Sequence, residues 1–228
     1  MSTATLARSD RIPTGISGLD NIIQGGLIRG DVHLLTGGPG TGKTIMASRI
    51  VYNAIKNSGE TAVYATFEES TDFFRRNLAR LGTDFSSMID EGKIKIIDLE
   101  ILRGKGLESN IAYLLEIVGK AKASILVIDS LTALLLACET QFEQRTFMKT
   151  VYKSLKGKGV TTIMTVSLNE DGRIGPEGFL SDSVMLLENW IDKNQFKTRF
   201  IVQKMRGTDH SRRYHSLTIG PEISISRF

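Results

Sequence analysis

An eight-residue stretch rich in glycine has the composition and spacing of a phosphate-binding loop. Residues 37–44 read GGPGTGKT and fit the pattern G-x-x-x-x-G-K-[ST]. In such a loop, glycines let backbone N–H groups surround phosphate oxygens, and the helix that follows adds a favourable dipole. Lys43 is expected to reach the β- and γ-phosphates, and the hydroxyl of Thr44 is expected to bind Mg²⁺. The predicted ATP-binding residues are Gly38, Pro39, Gly40, Thr41, Gly42, Lys43, Thr44 and Ile45.

A second ligand on the metal side is expected at the end of another buried strand. Residues 124–129 read SILVID, an apolar run that ends in the carboxylate of Asp129. This is the pattern of a Walker B strand, which lies beside the phosphate loop in nucleotide-binding folds. We therefore expect Asp129 to hold Mg²⁺, through a water molecule.

Two adjacent carboxylates, Glu68 and Glu69, are candidates for the hydrolytic base. They follow a predicted strand, 62–67, and so come at the carboxyl edge of the sheet, where ligands of open α/β sheets bind. A carboxylate there can orient or deprotonate the water that attacks the γ-phosphorus. Alternatively, the pair forms the acidic first turn of a helix that begins near Thr71, where the helix dipole stabilises negative charge. Glu68 is the first choice as base, with Glu69 as its partner.

The elements that must position these groups recur along the chain. Apolar, β-branched runs predict strands, and amphipathic stretches between them predict helices, such as the one over 44–56 that follows the loop. Nearly continuous apolar strands separated by helices favour a parallel sheet covered on both faces. The predicted strands of this sheet are 32–36, 62–67, 94–99, 125–129 and 160–166. Short runs without long helices then follow, at 184–188, 199–203, 214–219 and 222–226. The predicted fold is α/β, with a mostly parallel central sheet flanked by helices and a C-terminal antiparallel extension.

Length and composition exclude several classes of protein. The chain has 228 residues, 29 Lys or Arg, 25 Asp or Glu, and a formal net charge of +4. Its one cysteine, Cys138, cannot form an intramolecular disulfide, so a reducing compartment is expected. No apolar run of about 18 residues is present, so the sequence predicts a cytoplasmic protein without a membrane span. Residues 1–11 are predicted to form a flexible arm, and residues 12–228 a single ATPase domain.

Taken together, the motifs resemble the KaiC-like branch of the RecA superfamily of ATPases, including its single-domain and RadA-paralogue types. The resemblance rests on TGISGLD at 14–20, GGL at 25–27, the phosphate loop, FEES at 67–70, VIDS at 127–130 and KMRGTDH at 204–210. It implies a RecA-like fold, ATP and Mg²⁺ as cofactors, and catalysis by Glu68, Glu69 and Lys43. It also implies a homo-oligomer, a hexameric ring in that family. In such a ring, Lys204 and Arg206 would stabilise γ-phosphate charge on a neighbouring subunit, and His210 would contact the ribose or phosphates there.

One departure from the family concerns phosphorylation. Gly178 and Phe179 stand where part of the family carries an adjacent Ser/Thr pair that becomes phosphorylated. Ser181 and Ser183 are the alternative acceptors, although both also fit an ordinary turn at the entry to a strand.

Three functions remain open from the sequence. The first is slow ATP hydrolysis that drives a regulatory or assembly switch. The second is a RadA-like, DNA-binding ATPase, which is less favoured because the loop over 167–177 carries three acidic residues and one basic residue. The short basic loop 102–107 and the group 212–214 are its other candidate DNA contacts. The third is a nucleotide-gated interaction protein with an unidentified protein partner, which would use the same ATP-binding residues.

Overall fold

The computed structural model describes residues 10–67, 70–99, 107–169 and 171–228. Four predictions therefore fall wholly or partly outside the described residues. These are the candidate bases Glu68 and Glu69, the first nine residues of the N-terminal arm, the basic loop over 102–107 except its last residue, and residue 170 of the acidic loop over 167–177.

The described chain alternates strands and helices before it ends in strands. In chain order the elements are β1 (Arg11–Ile12), α1 (Leu19–Ile22), β2 (Leu27–Ile28), β3 (Val32–Gly37), α2 (Lys43–Ser58), β4 (Ala62–Thr66), α3 (Thr71–Arg80), α4 (Ser86–Asp90), β5 (Ile94–Asp98), α5 (Leu107–Ala121), β6 (Ile125–Asp129), α6 (Leu131–Leu135), α7 (Gln141–Lys156), β7 (Thr161–Ser167), α8 (Glu177–Leu180), β8 (Ser183–Asp192), β9 (Gln195–Met205), β10 (His215–Thr218) and β11 (Ser224–Ser226).

A nine-stranded sheet in the order β11-β10-β9-β8-β3-β7-β6-β4-β5 forms the centre of the fold. The strands from β5 to β8 in this order pair in parallel. Strands β9, β10 and β11 continue the sheet with antiparallel pairs. The predicted α/β fold, with its mostly parallel sheet and antiparallel extension, is confirmed.

Helices cover both faces of the parallel strands, and the apolar side chains on both faces of these strands are thereby buried. On one face, α2 contributes Met46, Ile50 and Ala54 to a core shared with Val127 of β6. On the other face, α5 and α7 pack over a second core that includes Leu126. None of the described helices combines the length and apolarity needed to cross a bilayer.

The C-terminal hairpin is longer than the sequence patterns predict. Strands β8 and β9 pair from Ser183–Met205 out to Asp192–Gln195, whereas the patterns predicted only 184–188 and 199–203. Lys193 and Asn194 both have positive φ, 45° and 66°, as a two-residue hairpin turn requires. The outer part of the hairpin was missed because it lacks continuous apolar residues.

The TGISGLD segment folds into a compact turn before α1. Both carboxylate oxygens of Asp20 accept hydrogen bonds, from the backbone N–H and hydroxyl of Thr14 and from the N–H of Gly15. Gly18 has φ of 82° and lies against the carbonyl of Ile225 in β11. The motif thus joins the N-terminal segment to the far edge of the sheet.

Arg11, the last residue of the predicted arm, belongs to the folded part of the chain. It is 6% exposed, and its guanidinium donates to the carbonyls of Ile23 and Gly26 and to the hydroxyl of Thr208. The prediction was wrong for this residue because a single buried arginine is not distinguished by sequence from those in a polar arm.

Gly18→Ala is expected to lower the free energy of unfolding by about 3 kcal/mol. A Cβ atom at Gly18 would lie 1.9 Å from the backbone oxygen of Ile225, so either the turn or β11 must move. Gly59→Ala is the matched control, because Gly59 has a similar φ of 66° but open space around its Cβ position. That variant should lose about 1 kcal/mol. Urea unfolding compares the two, and equal losses would contradict the steric argument.

Candidate nucleotide-binding site

The glycine-rich loop connects the end of β3 to the start of α2, as predicted for a phosphate cradle. Helix α2 begins at Lys43 after Gly42, which has φ of 91° and, as a glycine, has no side chain that could cap the first N–H groups of the helix. The hydroxyl of Thr41 donates to the carbonyl of Gly38 at 2.8 Å and so holds the loop closed on itself. The first turn of α2 contains no acidic residue. The positive end of the helix is thus suited to an anion.

The ammonium group of Lys43 lies inside this loop. It donates hydrogen bonds to the carbonyl oxygens of Gly37 and Gly38, at 2.8 and 2.9 Å. If a phosphate enters the loop, the ammonium group of Lys43 can donate its hydrogen bonds to phosphate oxygens instead of to these carbonyls. Pro39 and Gly40 are exposed at the tip, and Ile45 packs against the core on the helix side.

A residue of the C-terminal extension contacts the loop and was missed by sequence reasoning. A Cβ atom at Gly42 would lie 2.1 Å from Cδ1 of Ile219, which follows β10. The antiparallel extension therefore packs against the loop. A larger residue at position 42 would have to displace the end of the Ile219 side chain and adopt a strained φ of 91°. No motif marked Ile219, since its contact depends on how the antiparallel strands return.

Asp129 and Thr44 lie together beside the loop, as the sequence predicted. The hydroxyl of Thr44 donates to Oδ1 of Asp129 at 3.2 Å. The same carboxylate accepts hydrogen bonds from Thr165 of β7 and, at 2.7 Å, from Tyr64 of β4. Asp129 is 7% exposed, so these donors stabilise a charge that is almost removed from solvent.

The oxygen atoms of Thr44 and Asp129 are suitable ligands for Mg²⁺, the metal that the fold implies. A hydroxyl and a carboxylate are hard oxygen ligands, and Mg²⁺ in nucleotide sites is held by one or two such groups together with waters and phosphates. The side chains of Thr44 and Asp129 are already in hydrogen-bond contact. An ion between them and a phosphate would thus need little rearrangement of the protein.

The predicted base follows the strand next to Asp129. Phe67, the residue before Glu68, donates its backbone N–H to the carbonyl of Asp129 at 2.9 Å. The described chain thus pairs with the backbone of Asp129 immediately before the two glutamates, which themselves lie outside the described residues.

Lys204 and Arg206 lie near the amino ends of the parallel strands, whereas the phosphate loop of their own chain lies at the carboxyl ends. Lys204 pairs with Val184, and Met205 pairs with Ser183, which in turn pairs with His33 near the start of β3. His33 and Gly37 are four residues apart, or about 13 Å along the strand. The structure does not bring the two cations to the loop within one chain.

The side chains of Lys204 and Arg206 both contact the segment that contains α8. The ammonium group of Lys204 donates to the carbonyls of Gly178 and Phe179, each at 3.0 Å. Burial, followed by the charge of Arg206, lowers the pKa of Lys204. The guanidinium of Arg206 contacts Asp182 at 3.2 Å. The Phe179 side chain beside them is 81% exposed.

His210 lies in the connection between β9 and β10. Its Nδ1 is 3.1 Å from the carbonyl oxygen of Ser211, and its ring lines a surface groove with Arg213 and Arg227. The contact between Arg11 and Thr208 fixes the middle of this connection. Lys204, Arg206 and His210 therefore come from one anchored segment, as the motif that contains them implies.

The buried carboxylate that holds Arg206 is a target for a stability measurement. Burial opposes ionisation of Asp182, but hydrogen bonds from the N–H of Val32, from Tyr152 and from Lys156 outweigh it and lower its pKa. Asp182→Asn should lower the free energy of unfolding at pH 7 by about 2–4 kcal/mol, because it leaves cations without their partner. The stabilisation exists above the ordinary pKa of 3.8 and is lost as pH falls through the folded-state value. The deficit of the variant should therefore shrink towards pH 3.

Asp171→Asn is the control for this prediction. Its carboxylate pairs with Arg173 at 3.7 Å, with side chains 57% and 83% exposed, so its loss should change stability by less than about 0.5 kcal/mol. Urea unfolding of both variants at several pH values gives the comparison. A deficit for Asp182→Asn that stays constant down to pH 3 would contradict the proposed role of its charge.

Known proteins resemble this chain in sequence and in fold. A sequence-family model described as "ATPase: KaiC" matches residues 12–226. The circadian clock oscillator protein KaiC of Parasynechococcus marenigrum is 33% identical over 98% of the chain, and that of Thermostichus vulcanus is 34% identical over 96%. The chain spans less than half of these two relatives, 46% and 44% of their lengths. A crystal structure of a KaiC-like protein from Pyrococcus horikoshii superposes with a TM-score of 0.85 at 34% identity, covering 94% of this chain and 98% of the other.

Proposed function

The chain belongs to the KaiC family of ATPases, and from that premise we propose that it binds Mg-ATP in the loop 37–44 and hydrolyses it slowly, within a homo-oligomer, as a regulatory or assembly switch. The observation that carries the proposal is the contact between Thr44 and Asp129 beside a loop that already encloses Lys43. The phosphate loop, the ammonium group of Lys43 and the proposed Mg²⁺ ligands therefore lie together at the carboxyl ends of the strands of one parallel sheet.

Each part of the loop has a separate task in this proposal. Backbone N–H groups at the start of α2 bind the β-phosphate, and Lys43 moves from the loop carbonyls to the β- and γ-phosphates. Thr44 and Asp129 hold Mg²⁺, which neutralises charge on the phosphate oxygens when it is bound. Glu68, with Glu69, orients and deprotonates the attacking water.

Catalysis is proposed to need a second subunit. The γ-phosphate carries negative charge that is spread over its oxygens in the transition state, and a cation supplied across an interface stabilises it. Lys204 and Arg206 are separated from their own loop by the height of the sheet, which supports a role on a neighbour's nucleotide. The exposed Phe179 next to them provides apolar surface that such an interface would cover.

The DNA-binding alternative is not favoured. The two relatives compared above are KaiC proteins. In the described part of the acidic loop, Asn169 and Arg173 close a turn through a backbone hydrogen bond of 2.9 Å. Arg173 is the one basic residue in the described part of this loop, and Asp171 and Glu177 leave the described part net acidic, which opposes binding to a phosphate backbone.

Steady-state ATP hydrolysis tests the proposal. Purified protein is assayed with Mg²⁺ or EDTA, and with or without single-stranded DNA at moderate salt, and Lys43→Ala serves as the inactive blank. We expect slow turnover that requires Mg²⁺ and is indifferent to DNA. Strong stimulation by DNA would support the recombinase-like function instead. The absence of any turnover above the blank would contradict the proposed ATPase activity.

A further inference from the structure

A line of buried hydroxyl groups leads from helix α2 to the carboxylate of Asp129. The hydroxyl of Ser48 donates to Oη of Tyr64 at 3.2 Å, and Oη of Tyr64 donates to Oδ2 of Asp129 at 2.7 Å. Ser48 and Tyr64 are both fully buried. The tyrosine therefore contacts the carboxylate of Asp129 from within the protein core, through Oδ2, whereas Thr44 contacts Oδ1.

The two oxygens of this carboxylate are held by different donors. Oδ1 accepts from Thr165 and from Thr44, whereas Oδ2 accepts from Tyr64. Any rotation of the carboxylate about its Cβ–Cγ bond would lengthen at least one of these hydrogen bonds. Thr44 is itself a proposed metal ligand, so its hydroxyl is shared between two tasks. Tyr64 is not a proposed metal ligand, so its hydrogen bond to Oδ2 does not compete with metal binding as that of Thr44 does.

We propose that Tyr64 is a positioning residue for Mg-nucleotide binding, whose hydroxyl fixes the orientation of Asp129 towards the metal position. The inference rests on the proposed function of the loop and adds a residue that neither the phosphate-loop pattern nor the strand pattern marks. Groups that hydrogen-bond to a metal-side carboxylate set its orientation, and their loss weakens metal binding. Ser48 supports the arrangement from one step further away.

A tyrosine needed only to fill the core would behave differently. Its ring packs against Phe74, with 4.7 Å between the ring centroids and an interplanar angle of 48°. Tyr64→Phe keeps this ring contact and removes only the hydroxyl. Nucleotide binding without metal depends on the loop and not on the orientation of Asp129, so the two roles separate when binding is measured with and without Mg²⁺.

The test measures binding of a fluorescent methylanthraniloyl ADP to wild-type protein and variants, in EDTA and over a series of free Mg²⁺ concentrations. For Tyr64→Phe, the Mg²⁺ concentration that gives half of the metal-dependent tightening should rise about fivefold. Affinity in EDTA should stay within twofold of wild type. Tyr52→Phe is the matched control, because Tyr52 is also on the α2 side of the core, next to Phe85, and should show neither change.

Two results would overturn the inference. One is an unchanged Mg²⁺ dependence in Tyr64→Phe, and the other is a loss of affinity that is equal in EDTA and in Mg²⁺. Thermal unfolding checks that the variant is folded. If Tyr64→Phe does not fold, Ser48→Ala takes its place and must shift the Mg²⁺ dependence in the same direction by at least twofold, and no shift would overturn the inference as well.

Failure of the proposed function gives a different pattern. Wild-type protein that binds the fluorescent nucleotide neither in EDTA nor in Mg²⁺ would remove the function of the loop and the inference with it. A wild type that binds with normal Mg²⁺ dependence, together with an indifferent Tyr64→Phe, would remove only the inference.

Discussion

Arg206→Ala is expected to lower the rate of ATP hydrolysis by about 10³-fold, while each subunit still binds nucleotide. The guanidinium would stabilise negative charge on a neighbour's γ-phosphate, and its removal leaves that charge without a partner in the transition state. Since Arg206 is at the opposite sheet edge from its own loop, binding of a fluorescent nucleotide to that loop should remain within about threefold of wild type.

The variant should remain folded, which makes its kinetics interpretable. Asp182 loses one cation when Arg206 is removed, but keeps hydrogen bonds from Tyr152 at 2.9 Å and from the N–H of Val32 at 3.0 Å. Arg80→Ala, which removes an exposed arginine near the end of α3, is the control for loss of charge. Equal rates for the two variants would contradict a catalytic contribution of Arg206.

Replacing both candidate bases is expected to have an effect of similar size. The double variant Glu68→Gln with Glu69→Gln should hydrolyse ATP at least 10²-fold, and up to about 10⁴-fold, more slowly, because neither amide can accept the proton of the attacking water. Binding of Mg-ATP should be retained, since the phosphate and metal positions belong to the loop 37–44 and to Asp129. Single-turnover hydrolysis and equilibrium binding measure the two quantities separately.

A control and a split of the pair sharpen this experiment. Glu91→Gln changes an exposed glutamate in the turn after α4 and should leave the rate unchanged. Of the single variants, Glu68→Gln should have the larger effect if that residue is the base, as its place directly after the predicted strand 62–67 suggests. Undiminished turnover in the double variant would exclude both carboxylates.

Much of the candidate site could be predicted because its residues belong to short continuous sequence motifs. The loop that ends in Lys43 and Thr44 is one continuous segment, and Asp129 ends one continuous apolar strand. The pairing of β6 with β4 and β7 then places Asp129 beside the start of α2. A parallel sheet always gathers the carboxyl ends of its strands at one edge.

The contacts that no local pattern marks come from distant parts of the chain. Tyr64 is two residues before the end of its strand, and only the strand order places its hydroxyl next to Asp129. Ile219 reaches the loop because the antiparallel extension returns along the sheet. Asp182 was marked by no sequence pattern, although it is buried and anchors Arg206. Each of these contacts depends on tertiary pairing, which composition and periodicity do not encode.

The central claim is that one subunit completes the catalytic site of another, and subunit mixing tests it most directly. Lys43→Ala protein and Arg206→Ala protein are each expected to be inactive, the first for lack of a competent loop and the second for lack of the cation. In a randomly mixed ring, about a quarter of the interfaces join an intact loop to an intact Arg206. The mixture should therefore recover up to about a quarter of the wild-type rate. No recovery above the sum of the separate variants, in mixtures shown to form mixed assemblies, would contradict the account.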